Sequence, residues 1–93
     1  MTRGETIQIL SVLRKAYPVF YKDIFKREAE DIVDLWHMMF EDDGVLLVID
    51  AVKLYIATDT KGCPPTIGQI KTKIWEIKQL DEIRALREVK DND

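Results

Sequence analysis

Residues 44–58 read GVLLVIDAVKLYIAT, and the fold follows from how this stretch can be buried. Val45, Val48, Ile49, Val52, Tyr55 and Ile56 recur at helical spacing, while Leu47 and Leu54 fall on the opposite side. A helix that is apolar nearly all round is buried on several sides, so this third helix is expected at the centre of a bundle. Its longest apolar run, Val45 to Ile49, is far short of the ~18 residues needed to cross a bilayer. Asp43, in the Asp42-Asp43-Gly44 break, stands where an N-cap is needed.

The flanking sequence supplies partners for that helix. Thr2 and Glu5 form a capping box for a first helix, with Ile9, Val12, Leu13, Ala16 and Phe20 at helical spacing. Pro18 disfavours helical geometry at Tyr17 and ends it there. Tyr17, Phe20 and Tyr21 read as an aromatic plug at a helix–helix corner. A second helix over about Lys26–Glu41 puts Ala29, Ile32, Val33, Trp36, Met39 and Phe40 on one face. Its other face carries Glu28, Glu30, Asp31 and Asp34. That face reads as solvated surface or, more pointedly, as a docking face for a basic partner. After a loop broken by Gly62 and Pro64-Pro65, Thr66 and Gln69 form a second capping box. Ile67, Ile70, Ile74 and Ile77 then share one face of a fourth helix.

These patterns predict an all-α fold: a small bundle of about four helices over residues 1–80. Residues 81–93 form a charged C-terminal tail, flexible or continuing the helix. The core is expected to hold Ile9, Leu13, Trp36, Phe40, Val48, Val52, Ile70 and Ile74. The chain has 93 residues, 46% hydrophobic and 33% charged, a composition for one globular domain. Its net charge is −3 and its isoelectric point about 5.1, unlike the basic excess of an autonomous nucleic-acid binder. A lone cysteine, Cys63, allows no internal disulfide and fits a reducing cytoplasm.

The pattern changes phase after Ile77. At about 100° per residue, Trp75 lies about 140° from Ile70, and Ile83 and Leu86 fall toward Trp75. Either the helix breaks near Leu80-Asp81, or its distal part carries a second apolar stripe. Trp75, Ile83 and Leu86 are therefore candidate anchors for a partner helix or a second copy of the chain. Alternatively, Trp75 covers the first helix or the aromatic corner near Tyr17, with Ile83 and Leu86 merely frayed; in either case the chain end, Lys90 to Asp93, should fray.

Catalytic chemistry is not legible. His37 and Glu41 stand at i,i+4, but zinc sites take three or four ligands. The glycines are scattered, so no phosphate loop is present. Ser11 and His37 make no evident nucleophile–base set. No catalytic residue, cofactor or metal is expected. The helices flanking Gly44 could imitate a helix-turn-helix, yet the would-be recognition helix opens on Asp42, Asp43 and an apolar run, so direct specific nucleic-acid binding is not expected. A small DNA-binding regulator remains the alternative function.

Four stretches carry a resemblance: Thr2-Arg3-Gly4-Glu5-Thr6, Ala16-Tyr17-Pro18-Val19-Phe20-Tyr21-Lys22-Asp23, Asp34-Leu35-Trp36-His37-Met38-Met39-Phe40, and Pro64-Pro65-Thr66-Ile67-Gly68-Gln69-Ile70. Taken in order, they resemble the bacteriophage replicative helicase loader/inhibitor family found in phages of Gram-positive bacteria, over about residues 2–77. The resemblance implies an all-helical amino-terminal domain with a flexible tail linked to helicase binding. It also implies a non-enzymatic adaptor in the bacterial host cytoplasm. Such a protein binds the hexameric replicative helicase, restrains its ATPase and delivers it to the origin-bound initiator. Weak self-association is a further expectation, and no membrane partner is.

Overall fold

The first helix begins where the capping box places it. In the computed structural model, which describes residues 1–91 with side chains through Arg87, the Thr2 hydroxyl accepts from the Glu5 N–H and the Glu5 carboxylate accepts from the Thr2 N–H. Helix α1 then runs Arg3–Ala16 and stops before Pro18. Helix α2 spans Lys26–Met39, α3 Val45–Thr58 and α4 Ile67–Asp91. The second box also forms at α4, where Gln69 N–H donates to Thr66 Oγ1 and Thr66 N–H donates to Gln69 Oε1. Among the described residues there is no strand, so the fold is all-α.

The eight expected core residues are all buried. Tyr17, Phe20, Ala51 and Tyr55 join them. Trp36 anchors the centre: its ring stacks on Phe40 with centroids 5.5 Å apart and meets Phe20 edge-on at 6.0 Å. The Trp36 indole N–H donates to the Tyr21 hydroxyl at 3.1 Å. Tyr21 itself adopts a left-handed backbone, φ 50°. The indole bond and its ring contact with Phe20 at 4.4 Å hold it there. The aromatic corner is thus a packed plug between α1 and α2.

Helix α3 holds the central place expected of it, packed on both α4 and α1, while α2 joins the bundle through α1. Several expectations are corrected. Asp43 does not cap α3. Gly44 occupies the N-cap without a side-chain bond. The Asp43 carboxylate instead takes the Lys71 ammonium at 2.5 Å, while that ammonium lies 4.6 Å from the Phe40 ring centre. Val12, Ala16 and Met39, placed on core stripes, are exposed. Helix α1 is covered where α2 and α3 meet it, which leaves a narrow buried line, namely Thr6, Ile9 and Leu13. No break occurs at Leu80-Asp81: α4 is continuous for 25 residues. The fraying expected at the chain end concerns, for Asn92 and Asp93, positions outside the described residues. No helix of the described residues is long and apolar enough to cross a membrane.

Candidate partner-binding surface

The proximal turns of α4 are held by the core, through Ile70 and Ile74, with Ile67 and Ile77 packed at its margin. Beyond Ile77 every side chain through Arg87 is exposed, so tertiary packing does not hold the distal turns. They stay helical because KQLDEIRALR (78–87) is rich in good helix formers. The packed half also supplies the nucleus that an isolated helix lacks.

This places the sequence-predicted anchors on the outside. Trp75 is 61% exposed, Ile83 46% and Leu86 66%. Among the described residues Trp75 makes no ring contact with the aromatic corner near Tyr17. Trp75 and Leu86 are brought together along one line of the helix, about 20° and ~16 Å apart, while Ile83 lies about 80° to the side. Leu80, 56% exposed, lies about 140° from Trp75 and nearer Ile77, on the side toward α3. The sequence signal for it was the spacing of three through Ile77, Leu80, Ile83 and Leu86. At that spacing each residue falls about 60° behind the one before, so the ridge winds away from the bundle. Ile77 and Leu80 open onto a cleft of about 370 Å³ against Asp50 and Leu54 of α3, with Asp81 and Arg84 at its rim.

The acidic residues divide. Glu28, Glu30, Asp31 and Asp34 are all exposed on α2. Asp34, however, is paired with the Arg3 guanidinium of α1, a tie between consecutive helices. The other three form no ion pair among the described residues. Beside them the last turns of α2 leave Leu35, Met38 and Met39 exposed.

At the other end of the bundle, two phenols hold the loop between α3 and α4. The Tyr17 hydroxyl donates to Asp59 Oδ2 at 2.8 Å, and the Tyr55 hydroxyl donates to the Cys63 carbonyl at 2.7 Å. Burial, followed by the bond to Asp59, pushes the Tyr17 phenol well above its ordinary pKa. The same bond, with the Lys61 backbone N–H, holds the Asp59 carboxyl below the usual range. The bond between them, a neutral phenol donating to a carboxylate, contributes to both shifts, after burial for Tyr17 and first of all for Asp59. A polar cleft of about 370 Å³ beside this loop is lined by Thr58, Asp59, Lys61, Cys63, Thr72 and Lys73, among others. No three His, Cys, Asp or Glu side chains gather as a metal site among the described residues. Ser11 and His37 make no side-chain hydrogen bond among the described residues.

A family model for the N-terminal domain of a phage helicase loader/inhibitor matches residues 1–71. No curated protein and no solved structure matches the chain. The matched region ends inside α4, four residues before Trp75.

Proposed function

Because the chain belongs to the family of phage helicase loader/inhibitor N-terminal domains, we propose that it is a non-enzymatic adaptor of phage DNA replication. It binds the hexameric replicative helicase in the bacterial host cytoplasm, restrains its ATPase and helps deliver it to the origin-bound initiator. The observation that carries this reading is the family match over α1, α2, α3 and the first turn of α4. The exposed line of Trp75 and Leu86, with Ile83 beside it, is the contact we assign to the helicase. Large apolar side chains at helical spacing on an unburied face are the usual anchors of a helix laid into a groove.

The experiment is binding of the purified chain to a purified replicative helicase hexamer, read together with ATP hydrolysis. Binding with slowed hydrolysis is expected. Trp75→Ala and Leu86→Ala should each weaken binding about tenfold or more while leaving thermal stability unchanged. Absence of binding to the hexamer, with steep salt-dependent binding to duplex DNA, would replace the adaptor by the DNA-binding regulator.

A further inference from the structure

Two surfaces of this molecule remain unpartnered, and they match each other. On α2, Glu28, Asp31, Leu35 and Met38 follow the spacing three, four, three and lie on one exposed strip. The strip is acidic toward the start of the helix and apolar toward its end. On α4, Leu80, Ile83 and Arg87 follow the spacing three, four, with Arg84 beside Ile83, and all are exposed. This second strip runs from apolar to basic. Laid antiparallel, the two register without a gap. Met38 meets Leu80, Leu35 meets Ile83, and Asp31 meets Arg87, with Glu28 one turn further on. Reversing the direction sets Asp31 and Glu28 against the leucine and isoleucine and leaves the arginines on methionine and leucine.

Within one chain these helices do not pack along each other. We propose that the occupant of the α2 strip is the distal α4 of a second copy of this chain. Different surfaces of the two copies meet, so association is either heterologous and head-to-tail or a reciprocal two-fold pair in which each α2 takes the other copy's α4. The apolar half supplies burial, and the charged half sets direction and excludes the parallel alignment. Trp75 and Leu86 lie roughly a quarter-turn or more from the centre of the α4 strip. The self-contact therefore does not rest on the helicase reading: it leaves Trp75 and Leu86 uncovered, and Ile83, between the two, is the one residue both contacts share.

The test is sedimentation equilibrium of the full chain over about 10 μM to 1 mM at low salt, a range suited to a weak contact. The mass should rise above the 10.9 kDa of one chain, and less so when salt is raised to about 0.5 M. Asp31→Arg sets Arg against Arg, and Arg87→Asp sets acid against acid. Each variant alone should raise the apparent dissociation constant about tenfold or more. Mixing the two variants restores opposite charges at both contacts and should recover the association. Both sites are exposed, and unchanged circular dichroism melting would verify that the variants fold. A mass that stays at one chain throughout overturns the proposal. So does association that ignores both substitutions, or a mixture that associates no better than its components.

Discussion

Replacing Trp36 by Ala tests the packing at its densest point. The side chain is 1% exposed, and a buried tryptophan removes roughly 150–250 Å² from water. At about 25 cal/mol per Å² that is ~4–6 kcal/mol. Alanine keeps part of the contact and the cavity collapses in part, which sets the expected loss at about 3–5 kcal/mol. The upper end is favoured, because the stacked contact with Phe40, the edge contact with Phe20 and the bond to the Tyr21 hydroxyl all go together. A chain of 93 residues has in total about 5–14 kcal/mol. The variant should therefore melt at least ~12 °C lower and unfold at much lower urea. Far-UV circular dichroism is the right signal, since the substitution removes one of the two fluorescent tryptophans. Trp75→Ala, of the same chemistry on an exposed face, should change stability by no more than about 0.5 kcal/mol. A loss below about 1 kcal/mol for Trp36→Ala would falsify the central placement of this ring.

Tyr17→Phe removes the donor to Asp59 and should alter both ends of the stability–pH curve. The raised phenol pKa gives stability that is present below about pH 10 and lost as pH rises above it, so the variant should be less sensitive to alkali. The lowered Asp59 pKa gives stability that is present above about pH 4 and lost on acidification, so the acid arm should flatten as well. Melting temperatures across pH decide both signs, and curves parallel to the unsubstituted chain would refute them. Lys71→Ala removes the Asp43 ion pair and the contact over Phe40, and should cost about 1 kcal/mol given the partial exposure of the ammonium. Urea unfolding without a shift would mean both contacts are lost to solvent. Thr66→Ala opens the α4 capping box and should cost about 1 kcal/mol, with Thr66→Ser restoring most of it in the same assay.

Much of this architecture is legible in the residues because burial and capping act locally. Thr2-Glu5 and Thr66-Gln69 place two helix starts without tertiary information. The isoleucine spacing on α4 identifies which side meets the core. What escapes the sequence depends on approach between distant segments. Asp43 stands in good capping position, but the Lys71 ammonium, 28 residues later, takes its carboxylate. Asp34 looks like one of four equivalent surface acids until α1 brings Arg3 against it. Val12 and Met39 fit apolar periodicities that are wider than the strip the neighbouring helices cover. The left-handed Tyr21 is legible only after Trp36 is seen to hold its hydroxyl. For the candidate surface, the phase shift at Trp75 locates the exposed line. The absence of a helix break could not be decided until the distal turns were seen to continue.

The unbroken course of α4 makes it a rigid boom. Its 25 residues give a rod of about 37 Å, in a molecule whose long dimension is 59 Å. Azimuth and reach along such a rod are geared together. One residue inserted after Ile77 would advance every distal side chain by ~1.5 Å and swing it through about 100°, turning Leu86 off its line with Trp75. Seven inserted residues would lengthen the rod by about 10 Å yet return the distal face to within ~20° of its bearing. Whatever grips the far end of α4 therefore meets the bundle at a fixed distance and a fixed rotational setting, which single insertions would scramble and heptad insertions would stretch.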